Sequence, residues 1–157
     1  MPINREHLRQ LGIELPVPLV LPGVNRTAAV RVGDTLYLSG HGAALLDDSS
    51  VERRGKVGRD VTEAQAQATA RALAIKMLAT LEHHLGDLGR VLRVVKIVGY
   101  VNCVPQFERH NRVINGASDL FFEVFGPDIG CHARSSVGVC GLVDDQPVEI
   151  EGVFHVR

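Results

Sequence analysis

Residues 130–157, GCHARSSVGVCGLVDDQPVEIEGVFHVR, hold two strand-like runs, about 132–140 and about 147–156, with a turn between them. A single arginine, Arg134, opens the first run. Two carboxylates, Glu149 and Glu151, interrupt the second, which is otherwise largely apolar. Charges inside strands are costly unless exposed or paired, so these three need a physical reason. Alternation puts Arg134, Ser136, Gly138 and Cys140 on one face of the first run and Ala133, Ser135, Val137 and Val139 on the other. In the second run Glu149 and Glu151 share a face, opposite Val148, Ile150 and Phe154. Taken as an antiparallel pair around 142–146, the runs set Arg134 level with about His155 and Glu149 level with about Cys140. The two charges then lie on the order of 20 Å apart along the strands of one chain. They meet in one site only if two subunits build it, or if the turn is skewed.

Working upstream, residues 91–101 form a nearly continuous apolar run, interrupted only by Arg93 and Lys96. Its β-branched content fits a strand covered on both faces. AAVRVG and TLYLSG, with Gly33-Asp34 at their junction, read as a hairpin. Thr62-x-x-Gln65 is a capping box. It opens a helix whose Ala70, Leu73, Ala74, Met77, Leu78, Leu81 and Leu85 form one stripe, with Gly86 as its stop. A second helix runs from about 107 to 125, with Ile114, Ala117, Phe121 and Val124 on one side, and Gly126-Pro127 ends it. The order is ββ-α-β-α-ββ, an α+β fold with two helices on one face of a sheet. Those helices cover one face only, while the 91–101 strand asks for cover on both. A second copy of the chain is expected to supply it.

Residues 4–11 read as a short amphipathic helix with Asn4 as N-cap and Gly12 as stop. Three prolines make 16–23 extended or looped. Residues 42–60 are polar and charged and form the longest loop, either a solvated connector or a mobile lid. At 157 residues, one domain spanning 1–157 is expected, with 1–22 as an N-terminal extension.

Composition narrows the function. With 17 Lys+Arg against 18 Asp+Glu, the formal charge of −1 offers no excess to track a phosphate backbone, so a dedicated nucleic-acid binder is disfavoured. No run approaches a membrane span and no signal-peptide core opens the chain. Three cysteines without CxxC spacing suit reduced thiols in a cytoplasmic protein. The histidines show no metal-ligand spacing, so no metal site is expected.

Arg134, flanked by small residues, has room to hold a carboxylate through two parallel hydrogen bonds. The alternative is a structural ion pair with a neighbouring strand. A glutamate at 149 or 151 with a raised pKa would handle water or a proton; the alternative is an exposed sheet face or salt bridges.

The segments LYLSG (36–40), VVKIVGYVN (94–102), INGASDLFFEVFG (114–126) and the C-terminal ARS-x-V-x-V…L…VEIE pattern together resemble the Rid (reactive intermediate deaminase) family, also called YjgF-like and once labelled L-PSP endoribonuclease. The N-terminal extension and the INGASDL segment are similar to a longer-chain branch. The resemblance implies a chorismate-mutase-like fold, a homotrimer with sites in clefts between subunits, and no metal or organic cofactor. It implies hydrolysis of enamines and imines, such as 2-aminoacrylate and 2-iminobutanoate, to 2-oxo acids and ammonia. By position, the family's carboxylate-binding arginine falls on Arg134 and its water-handling glutamate on Glu149. Ser39 and Gly40 fall on the cleft lining, and Asn115 on an asparagine near the site. Glu151 matches a second glutamate whose role stays open.

Four positions depart from the family pattern. Arg26 stands where many members have tyrosine, His41 where they have glutamine, Ser136 where some have cysteine, and Val143 where proline is usual. Arg26 and His41 are expected to make the substrate pocket more polar and more cationic. The other readings that stay open are a non-catalytic trimer binding small carboxylates and, with less support, an endoribonuclease.

Overall fold

The computed structural model describes residues 3, 5–23 and 25–157. Among the described residues five strands form one sheet: β1 (Ala29–Val32), β2 (Thr35–Gly42), β3 (Val91–Asn102), β4 (Ala133–Val139) and β5 (Val148–Val156). The α-helices among the described residues are α1 (Arg5–Gln10), α2 (Glu63–Leu85) and α3 (His110–Gly130). The α1 helix lies where expected, but its proposed cap, Asn4, falls outside the described residues. Among the described residues no helix is long and apolar enough to cross a membrane.

Local sequence signals are obeyed closely. Thr62 caps α2: its hydroxyl takes the Gln65 amide at 3.2 Å, while the Gln65 side chain takes the Thr62 amide at 2.9 Å. At the other end Gly86 adopts φ 79°, a left-handed conformation that glycine enters without a Cβ clash. Gly126 likewise breaks α3 with φ 74°; one further turn follows before the chain enters β4. β1 and β2 form the hairpin, paired Val32↔Thr35 across the Gly33-Asp34 turn.

The sheet order is β1-β2-β5-β3-β4, which corrects the expected pairing of the last two strands. β4 runs parallel to β3, reached by the α3 crossover, and β5 returns antiparallel between β2 and β3. A parallel pair needs a crossover, and α3 provides it. Arg134 therefore stands level with Ile97 and, through it, Gly152. Glu149 stands level with Tyr100 and, through it, Val137. Only three residues separate the two levels, about 10 Å along the strands instead of 20.

Both long helices lie on one face. The core holds Leu73, Met77, Leu78 and Leu81 of α2 and Ile114, Leu120 and Phe121 of α3, packed on Ile97, Ile150 and Phe154 of the sheet, all fully or nearly fully buried. The opposite face is open in this chain: Val30, Val32, Tyr37 and Val137 are exposed there. The 42–60 segment is anchored at 55–57. Val57 is fully buried. Lys56 Nζ donates to Asn102 Oδ1 at 2.5 Å and to the Cys140 carbonyl at 2.6 Å. Gly55 N donates to the Asp145 carbonyl at 2.7 Å.

Candidate active site

The predicted residues fall into two clusters on opposite faces of the sheet. In the first, Arg134 points toward α3, because its β3 neighbour Ile97 is a core residue. Its Nη1 donates to Asn115 Oδ1 at 2.8 Å and to Ser118 Oγ at 3.0 Å. Asn115 and Ser118 are three residues apart on α3, hence neighbours on one helix face. Ser118 Oγ in turn lies 2.9 Å from His132 Nε2, and His132 Nδ1 lies 2.6 Å from the Gly130 carbonyl. Burial and then the charge of Arg134 push the His132 pKa down, with the Gly130 bond opposing them. Among the described residues Arg134 makes no ion pair, and only its Nη1 is hydrogen-bonded. The structural ion pair weighed for it is therefore absent within the described chain. Beside it opens a recess of about 350 Å³, lined by Ser118, Phe122, Cys131, His132 and Arg134 among others. Ser136, two residues on, shares this face; its Oγ is buried with no hydrogen-bond partner among the described residues.

In the second cluster, Glu149 lies on the open face against β2. A methyl group on Gly40 would overlap its Oε1, so the carboxylate sits where that glycine leaves room. Gln146 Nε2 donates to Glu149 Oε2 at 3.0 Å, and Gln146 Oε1 accepts the Ala44 amide at 3.0 Å. Gly42 leaves space for the Gln146 amide in the same way. Burial, then the neighbouring Glu151, raise the Glu149 pKa; the Gln146 bond opposes them. Tyr100, level with Glu149 on β3, has its hydroxyl pKa raised by burial first and by the two glutamates after it.

Ser39 and Gly40 form a bulge, two residues opposite the single Glu151 of β5. The Ser39 hydroxyl donates to the Thr27 carbonyl at 2.6 Å; Arg26, the residue before Thr27, is exposed. The bulge also corrects the placement of His41. Simple alternation from Leu38 would put His41 on the open face, but the extra residue turns it inward, paired with the core residue Ile150. Its ring is fully buried. Nδ1 donates to the Ser39 carbonyl at 2.7 Å, and Nε2 meets Thr80 Oγ1 of α2 at 2.9 Å. Desolvation drives its pKa from 6.5 to about 4, so the ring is neutral. His41 adds no cation to a substrate pocket.

Sequence reasoning passed over Ser118, His132 and Gln146. The first two had a signal: one helical turn after Asn115, and two residues before Arg134 on the same strand face. Gln146 sits in a turn, where spacing says nothing about contacts.

A family model described as "YjgF/chorismate mutase-like, putative endoribonuclease" matches residues 6–141. Protein TCP17 of Trypanosoma cruzi is 39% identical over 151 residues, covering 96% of this chain and 92% of that protein. The crystal structure of a protein of unknown function from Agrobacterium tumefaciens is 35% identical with a TM-score of 0.86, over 99% of this chain and 94% of that one. A Shewanella oneidensis structure described as a "putative endoribonuclease" is 25% identical with a TM-score of 0.86, over 96% and 97% of the two chains.

Proposed function

The chain belongs to the YjgF/chorismate-mutase-like family, and on that premise we propose that it hydrolyses reactive enamines and imines of the 2-aminoacrylate or 2-imino acid type to 2-oxo acids and ammonia. The observation that carries this reading is Arg134: one guanidinium nitrogen held by Asn115 and Ser118, the rest unpaired among the described residues, beside an open recess. A guanidinium so prepared takes a substrate carboxylate as a planar, charge-assisted fork. Glu149, with its raised pKa, suits the proton work. It takes a proton from water as the oxygen attacks the imine carbon. It hands that proton to the nitrogen, giving the carbinolamine, then relays the carbinolamine's hydroxyl proton to the amine as the C–N bond breaks, releasing 2-oxo acid and ammonia and restoring the carboxylate. Ser39 and Gly40 border the Glu149 half, and Asn115 and Ser136 the Arg134 half.

Within one chain these halves face opposite ways, so the proposal includes a homotrimer whose subunits bring one chain's arginine half to another's glutamate half. The open sheet face with Val30, Val32, Tyr37 and Val137 supports such a partner. Three free cysteines fit a cytoplasmic setting. The same separation favours a second reading, a non-catalytic carboxylate binder, because the anchor is complete without Glu149. For a ribonuclease, the formal charge of −1 supplies no phosphate-tracking surplus.

The test measures ammonia and 2-oxo acid release from freshly generated imino acids, alongside 2-oxobutanoate affinity. Losing the charge-assisted contact in Arg134→Ala is expected to weaken affinity roughly tenfold to a hundredfold, with Arg134→Lys in between. Light scattering should give three times the 17.0 kDa chain mass. A folded Arg134→Ala protein that binds and turns over like wild type overturns the reading, and a stable monomer overturns the shared site.

A further inference from the structure

Ser118 already holds Arg134 Nη1; His132 has no role so far, yet through Ser118 it continues the hydrogen-bond chain that begins at Arg134. The direction of every proton in that chain is fixed by its two ends. A guanidinium only donates, so Arg134 Nη1–H points at Ser118 Oγ across 3.0 Å. A carbonyl only accepts, so His132 Nδ1 carries the hydrogen that meets Gly130 O across 2.6 Å. In a neutral imidazole Nε2 is then the acceptor, and the Ser118 hydroxyl donates to it across 2.9 Å. The oxygen of Ser118 is thereby turned toward Arg134.

We infer that Ser118 and His132 are positioning residues for Arg134: a directed chain, Gly130 carbonyl to imidazole to hydroxyl, that holds Nη1 and leaves the Nε and Nη2 edge to a ligand carboxylate. This rests on the reading of Arg134 as the carboxylate anchor. Three surroundings keep the imidazole in the state the chain needs. Phe121 meets the ring edge-on at 6.0 Å between centroids, which limits its rotation. Burial and the adjacent Arg134 charge both favour the neutral form. Asp119 of α3 and Cys131 line the same recess, and neither is hydrogen-bonded to the ring among the described residues. Asn115 holds the same Nη1 from the neighbouring helical turn, so the nitrogen has two fixed acceptors. Two acceptors at one nitrogen set the plane of the guanidinium as well as its position, and a bidentate fork depends on that plane. A freely rotating arginine would lose that preorganisation on each binding event.

The experiment compares 2-oxobutanoate affinity across variants of the intact protein and reads the imidazole directly. Ser118→Ala and His132→Leu should each weaken binding about tenfold, and the double variant no further, since both interrupt one chain. His132→Gln, which keeps an acceptor near Nε2, should stay within about threefold of wild type. A residue that merely filled space would show neither the non-additivity nor the rescue. Imidazole nitrogen NMR of the wild type at neutral pH should find the proton of His132 on Nδ1. A proton on Nε2 overturns the inference whatever the binding data show, including in a protein that binds no 2-oxobutanoate. If Arg134→Ala weakens binding while Ser118→Ala and His132→Leu do not, the positioning chain fails and the anchor stands. If Arg134→Ala binds as tightly as wild type, the anchor reading itself has failed.

Discussion

Arg134 and Glu149 are both half-buried charges in the same sheet, yet their surroundings are built in opposite senses. Around Arg134 two acceptors meet one nitrogen of the cation and no described carboxylate neutralises it. Around Glu149 a single donor opposes burial and a second carboxylate, and the charged form is penalised. The first environment keeps a charge and its direction. The second keeps a proton within reach. That asymmetry is what a carboxylate anchor and an acid–base group each require, and it does not follow from the residue types alone.

The largest effect is expected where the arginine half depends on backbone. Gly116 sits beside Asn115 at the contact between α3 and α2. A methyl there would overlap the Gln67 carbonyl oxygen and lie 3.1 Å from the Arg71 amide nitrogen. Helix backbones cannot yield as a side-chain tip can, so α3 must move away from α2. Gly116→Ala should cost about 3 kcal/mol, lowering Tm by roughly 6–12 °C. Because Asn115 moves with α3, 2-oxobutanoate affinity should fall as well. Calorimetry showing an unchanged Tm would mean that this face is not what fixes Asn115.

On the glutamate half the next effect comes from His41, which ties the Ser39–Gly40 bulge to α2. Above pH 6.5 the ring is neutral in folded and unfolded chains alike. As pH falls from 6.5 to about 4 the unfolded chain binds the proton and the folded chain does not, so stability is lost across that window. The loss attributable to this one group approaches about 3 kcal/mol at its acid end. Denaturant titrations of wild type and His41→Gln should show this pH dependence in the former and its loss in the latter. Equal slopes would show that the ring is hydrated or free to protonate in place.

How much of this was legible beforehand differs by distance along the chain. The capping box at Thr62, the Gly86 stop and the β1–β2 hairpin are local, and spacing alone identifies them. Strand order is not local: nothing between 140 and 148 states that β5 skips β4 to lie beside β2, and the α3 crossover was the only hint that β4 would pair parallel to β3. His41 was misplaced by a single bulged residue, since one extra residue reverses the face of everything after it. Arg134 and Glu149 stand out as charges in otherwise apolar strands, whereas Asn115 is singled out only by the family resemblance. Spacing from Asn115 and Arg134 points to Ser118 and His132, but the hydrogen-bond direction through which they act is not carried by a sequence pattern.

The smallest expected effect probes the penalty on Glu149 directly. With its pKa raised in the folded chain, Glu149 ionises earlier in the unfolded state as pH rises. Stability therefore falls between the ordinary glutamate pKa and the raised one, and the deficit persists at neutral pH. Glu149→Gln removes the charge and keeps an oxygen to accept the Gln146 bond, so it should melt slightly higher than wild type at pH 7, by about 2 °C or less. The difference should vanish by about pH 3, well below the ordinary glutamate pKa, where the wild-type side chain is protonated in both states. An equivalent change at the other half, Arg134→Gln, offers no such gain, because the environment there is organised around a retained charge. In the same Glu149→Gln protein turnover should fall while 2-oxobutanoate affinity stays close to wild type. A variant that melts lower than wild type at neutral pH would mean the carboxylate charge is welcomed, and the contrast between the two halves would collapse.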